Sequence, residues 1–162
     1  MNTNAAVLPA DRTRYLTAIL LAGLIAGSLD LTFAFTFHGL MSGVSPIRIL
    51  QTIATGWLGL DALKGGLPAA ALGFVSHYGI LIGASALYLI AMLRMRWMTA
   101  HAYLYGMAYG VMIYAFMHLV VLPLSNAPHF KPNVLGTVCD FSMHMLAIGP
   151  AIALALKRFA KA

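Results

Sequence analysis

Apolar residues run almost unbroken through four stretches of this chain, and the polar breaks between those stretches mark out its elements. The runs extend from Tyr15 to Phe37, Leu67 to Leu93, Tyr103 to Leu122 and Val134 to Leu156. Each is long enough for an α-helix to cross hydrocarbon about 30 Å thick, which needs roughly 20 apolar residues. The pattern predicts one all-α unit over 1–162, an integral membrane four-helix bundle. Gly65, Gly66 and Pro68 open the second run, Pro123 closes the third, and Lys157, Arg158 and Lys161 follow the fourth.

The connection between the first two runs is too long for a simple turn. Within "SPIRILQTIATGWLG" (45–59), Ser45 stands as an N-cap and Pro46 at the first helical position, a helix-start signature. Ile49, Leu50, Ile53 and Trp57 recur at helical spacing, with Arg48, Gln51, Thr52 and Thr55 on the other side. This predicts an additional amphipathic helix, about 45–58, in the membrane interface with Trp57 at headgroup depth. It would either cover the bundle or close over an internal site as a lid.

Composition sharpens the picture. Of 162 residues, 61% are hydrophobic and 9% charged, with mean hydropathy +0.86, whereas a soluble domain carries about 25% charged residues. The net charge of +6 has no basic cluster or aromatic platform behind it, so nucleic acid is not an expected partner. The charge instead reports topology. Arg12, Arg14, Arg94, Arg96, Lys157, Arg158 and Lys161 fall on one side, against Arg48, Lys64 and Lys131 on the other. The positive-inside rule then places both termini in the cytoplasm. Arg12 and Arg14 ahead of an apolar run also suggest a signal peptide, but the run continues to Phe37. An uncleaved first span is therefore expected. Cys139 is the lone cysteine and forms no intramolecular disulfide.

Glycines stand four apart at Gly23–Gly27, Gly79–Gly83 and Gly106–Gly110, a spacing that lets helix backbones approach closely in lipid. Such faces serve packing within the bundle or association into a homo-oligomer. Pro150 inside the last run predicts a kink.

The candidate chemistry is confined to one half of the bundle. At 1.5 Å per residue, Asp30, His77, His118, Asp140 and His144 all fall in the outer half or near the midplane. An ionisable group there needs a partner or a task. Asp140 and His144 are one turn apart on one face, and several readings stay open. The group would act as packing glue, with Ser28, Thr32, Ser76 and Ser142 as hydrogen-bonding neighbours. It would bind zinc or iron through His77, His144, Asp140 and His118. It would relay protons or hold a ligand between Asp30, His77, Asp140 and His144, with Gln51 approaching from the interfacial helix. Or His77 and His144 would ligate a b-type haem, with Arg48 or Lys64 near its propionates. His38 sits at an outer helix end, His101 near the cytoplasmic side, and His129 in the solvated outer loop. The ten methionines show no copper-type clustering. No phosphate loop, nucleophile elbow or His-Glu-x-x-His occurs, and the chain has no glutamate, so an enzyme would rest on the Asp/His cluster alone.

"VSPIRILQTIATGWLGLDALKGG" (44–66), "AAALGFVSHYGI" (69–80) and "VVLPLS" (120–125), in that order, resemble a recurrent family of short bacterial inner-membrane proteins. The resemblance covers most of the chain. It implies four spans and a bacterial inner membrane, and it implies no activity. Its motif positions include Asp30, His77 and His144, while His118 departs from a pattern in which relatives carry an amide. The expectation is a small binding or transport-type protein. The alternatives are a haem- or metal-dependent redox protein and an accessory membrane subunit.

Overall fold

The computed structural model describes residues 9–128 and 133–160; His129, Lys131 and Lys161 lie outside the described residues. The described chain is helical, and no strand occurs among those residues. The long helices are α1 (Pro9–Ser42), α3 (Gly66–Arg94), α4 (Ala102–Leu124) and α5 (Val134–Ala160). A short helix, α2 (Pro46–Leu58), stands between the first two and runs into a 3₁₀ turn at Gly59–Lys64. All four long helices are long and apolar enough to cross a membrane.

Local chemistry explains the boundaries. At the start of α1, Asp11 pairs with Arg14 one turn on, at 3.1 Å. The helix stops at Gly43, whose φ of 64° suits a residue without Cβ. Ser45 then caps α2: its Oγ accepts the Arg48 N–H at 3.3 Å, and Pro46 fills the first position, where no N–H is needed. Gly59, at φ 62°, ends α2 and donates its N–H to the Thr55 carbonyl. The Asn133 side chain caps α5 by accepting from Gly136 N–H at 3.4 Å.

Helix α5 is the centre of the bundle, packing against both α1 and α4, while α1 packs against α3 and α3 carries α2. Small residues set these distances. Ala18, Ala22 and Ala26 form a fully buried stripe on α1. A Cβ at Gly23 would fall 2.7 Å from the Ile82 Cα of α3. One at Gly106 would fall 2.6 Å from the Pro150 Cα, and one at Gly110 would strike the His144 carbonyl oxygen. Both of these pairs are therefore internal contacts. The Gly79–Gly83 pair is different, because a Cβ at either position meets nothing within 4 Å.

The largest fully buried side chains, Tyr88, Met92, Ile148, Ile152 and Leu156, belong to one apolar core on the side of the bundle away from α2. Tyr88 and Tyr109 meet there edge to face at 4.9 Å, joining α3 to α4. Leu16, Leu20, Val75, Leu87, Leu104 and Val138 are exposed on the outer walls. The structure thus has an apolar core and an apolar exterior, with Asp30, His77, Asp140 and His144 towards the α2 end.

The packing of α2 buries residues from both its apolar and its polar side. Its buried residues are Ile49, Gln51, Ala54 and Thr55, whereas Trp57 is 65% exposed. Two neighbours explain this. Against α3, the contact is so close that a Cβ at Gly73 would strike the Leu50 carbonyl oxygen. From the other side, Asn126 donates its backbone N–H to Gly56 O at 3.0 Å and its side-chain amide to Trp57 O at 2.9 Å. On the polar side of α2, Gln51 and Thr55 are buried against protein, while Arg48 stays exposed.

Candidate functional site

Two prolines shape the helices that build the site. Helix α4 does not stop before Pro123; it passes through to Leu124 after widening into a π turn at Met117–Val121. Helix α5 widens in the same way at His144–Ile148. In each case the proline, Pro123 or Pro150, stands two residues beyond the widened turn. Proline has no N–H to donate, and its ring clashes with the carbonyl four residues back in a regular helix. A wider turn moves that carbonyl aside without breaking the helix. Single π turns are frequent at functional sites, and here His118 lies within one and His144 begins the other.

His144 and Asp140 are tied within α5. The His144 Nδ1 lies 2.9 Å from the Asp140 carbonyl oxygen and 3.4 Å from its Oδ1. A carbonyl only accepts, so Nδ1 carries a proton, and in the neutral ring the lone pair is then on Nε2. Asp30 of α1 joins them: one ligating atom from each of Asp30, Asp140 and His144 lies within 4.8 Å of the others. At 4.8 Å two charged carboxylates repel by about 3.5 kcal/mol at an effective dielectric near ~20. A positive partner is needed to hold both ionised.

His77 of α3 borders this group without completing it. Its Nε2 donates to the Gly27 carbonyl at 3.0 Å and stands 3.8 Å from Asp30 Oδ2. Held this way, Nε2 offers no lone pair to a metal or a haem iron. The bond ties α3 to α1 and leaves the His77 Nε2–H beside Asp30. Gly27 makes the approach fit, since a Cβ there would fall 2.8 Å from the Tyr78 ring.

A cavity of about 600 Å³ opens above the group, between α2, α4, α5 and the loop before α5. Thr52, Thr55, Tyr114, His118, Thr137 and Asp140 are among its walls. Exposure falls from the cavity inwards: the Asp140 side chain is 37% accessible, Asp30 18% and His144 13%. Asp140 thus belongs to both the cavity and the buried group. His118 lines the cavity but stays outside the group of three. Its ring stacks on Tyr114 at 4.0 Å, and its Nδ1 lies 3.0 Å from the Tyr114 carbonyl. Tyr114 also meets the His144 ring edge to face at 5.6 Å.

Gln51 does not approach the group. It is buried, with its side-chain amide donating to Gly66 O at 3.0 Å, and it fastens α2 to the start of α3. Thr52 and Thr55, its neighbours on α2, face the cavity instead. Three of the four hydroxyls expected beside the Asp and His side chains are engaged elsewhere. Ser28 pairs with Tyr78 at 3.0 Å, Thr32 donates to Ser28 O at 2.6 Å, and Ser76 accepts from Trp57 at 2.9 Å. Tyr114, Thr137 and the threonines of α2 escaped the reading of the sequence, although Tyr114 lies one turn before His118 and Thr137 just before Asp140.

Fold and site together define a helical protein with four helices of membrane-crossing length and an Asp/His group open to a cavity with an apolar lining broken by a few polar side chains. No family model matches the chain, and neither a curated protein nor a solved structure matches it.

Proposed function

We propose that the chain is a four-span bacterial inner-membrane protein that binds a small cationic ligand at Asp30, Asp140 and His144. The observation that carries this reading is the double membership of Asp140, which lines the cavity and touches the carboxylate pair beneath it. Exposed apolar side chains on all four long helices support membrane insertion. The Lys/Arg distribution supports cytoplasmic termini and a cavity that opens outwards. In that setting α2 lies in the outer interface as one wall of the vestibule, and the chain is a member of the short inner-membrane family that its motifs resemble. Below the site the bundle is filled by Tyr88, Met92, Ile148 and Ile152, which favours capture of a ligand over a continuous channel. Any transport would need the helices to rearrange around Asp30 and Asp140. The open Gly79–Gly83 face of α3 is where a second copy would pack in a homo-oligomer.

Thiol accessibility tests the proposal. In a Cys139→Ala background, Thr137→Cys places a thiol in the cavity wall. Membrane-impermeant thiol reagents added to intact cells should label it, and a cationic reagent should react several-fold faster than an anionic one of equal size. Labelling only after the cells are opened, or a faster anionic reaction, would overturn the assignment.

A further inference from the structure

We propose, on the strength of the cation-binding reading, that Asp30, Asp140 and His144 hold one divalent first-row transition-metal ion, of the zinc, manganese or cobalt type. The charge balance selects a divalent ion over an organic cation. Two carboxylates with a neutral imidazole are neutralised by a charge of two, whereas a protonated amine leaves one negative charge in apolar surroundings. The donor set selects the class of metal. Two hard oxygens and one borderline nitrogen suit these ions, soft copper(I) prefers thiolate or thioether, and calcium takes six to eight oxygens. Cys139, next to Asp140 in sequence, is outside the group.

The geometry of His144 supports the same conclusion independently of the acids. Metal-bound histidines commonly donate their second ring N–H to a carbonyl or carboxylate, which fixes the tautomer and aims the other nitrogen. His144 Nδ1 makes that bond to the Asp140 carbonyl at 2.9 Å. One ring nitrogen of His144 and one oxygen of each carboxylate lie within 4.8 Å of one another, and ligands at about 2.1 Å from one ion stand at most about 4.2 Å apart. Rotation of the carboxylate side chains closes that difference. The cavity supplies an access route, with His38 and His118 along it as transient ligands, and it leaves an open coordination position.

The test uses the full chain, purified in detergent and stripped with a chelator. Cobalt(II) is titrated by visible absorption and then displaced with zinc. The expected result is one cobalt per chain with ligand-field bands that zinc removes. Asp30→Asn, Asp140→Asn and His144→Gln should each weaken binding at least about tenfold, while His101→Gln, far from the group, leaves it unchanged. Absence of the bands, or affinity indifferent to the three site substitutions, would overturn the proposal. Because a site variant can fail to fold, a second readout keeps all three ligands. Zinc should slow the cationic labelling of Thr137→Cys in the Cys139→Ala background. If labelling stays outside-accessible and charge-selective but zinc has no effect, the metal assignment fails and the vestibule stands. If outside labelling is absent, both fail.

Discussion

Replacing Gly110 by alanine should loosen the bundle at the crossing where His144 is positioned. The added methyl would strike the His144 carbonyl oxygen, with the carbonyl carbon at 2.7 Å and the Met145 Cα at 3.1 Å, against an ordinary contact of 3.4 Å or more. All of these neighbours are backbone, and the carbonyl oxygen also receives the Gly149 N–H that closes the π turn. No side chain can swing away, so α4 and α5 must separate by at least about 0.7 Å to restore contact with the carbonyl carbon, from 2.7 to 3.4 Å. A gap of that size forfeits about a quarter to a half of each atom–atom attraction across it. Overpacking of this kind costs about 1–3 kcal/mol, and the rigid partner places Gly110→Ala near the middle, at about 2 kcal/mol. The assay is unfolding of the purified protein by a denaturing detergent, followed by circular dichroism. Gly39→Ala is the control, since its methyl would meet only the Val44 carbonyl oxygen, at an ordinary 3.9 Å. Alanine's helix preference there contributes up to about 1 kcal/mol in favour of the variant. Equal stability of Gly110→Ala and the parent, or equal loss in both variants, would refute the packing argument.

Four further outcomes follow from single residues. Tyr88→Phe should be neutral or stabilising in the same assay, because the buried Tyr88 hydroxyl has no hydrogen-bond partner among the described residues. Tyr109→Phe should instead destabilise by about 1 kcal/mol, since it removes the 2.6 Å bond to Ala84 O; equal effects in the two variants would contradict this accounting. Ser45→Ala removes the α2 cap and should weaken that helix by about 1 kcal/mol, seen as faster amide exchange over 46–58. Pro123→Ala restores a backbone donor two residues past the α4 π turn and should let that turn tighten. The check is labelling of His118→Cys in the Cys139→Ala background, whose rate should change by several-fold when Pro123 is replaced.

The helices were legible because long apolar runs and the Ser45-Pro46 start are one-dimensional signals. Helix α1 outran its apolar run at both ends, since Asp11 and Arg14 extend it at one end and the Gly43 turn sets the other. Of the site, the sequence revealed that Asp140 and His144 share a face, because i and i+4 fixes that. The choice of Asp30 as their partner, with His77 held by a backbone carbonyl, depends on how α1 meets α3 and α5. That geometry is set by Gly23, Gly27 and the alanine stripe. The amphipathic reading of α2 left open whether the helix covers the bundle or closes over a site, because spacing alone does not say what its polar side meets. Gln51 illustrates the same limit: its side chain is spent on the Gly66 carbonyl, a loop position no periodicity could predict.

The paired π turns carry a consequence for the angular register of the helices. A π-type hydrogen bond reaches back five residues where an α-type bond reaches four, so each widened turn absorbs one extra residue. At 3.6 residues per turn, one residue is about 100° of rotation. In α5, the face that presents Asp140 is thereby out of phase with the face that buries Ile152 and Leu156. The same offset separates the cavity-lining end of α4 from the stretch holding Gly106 and Gly110. The two halves of each helix act like gears on a slipped shaft: packing in one half does not dictate which residues the other half presents.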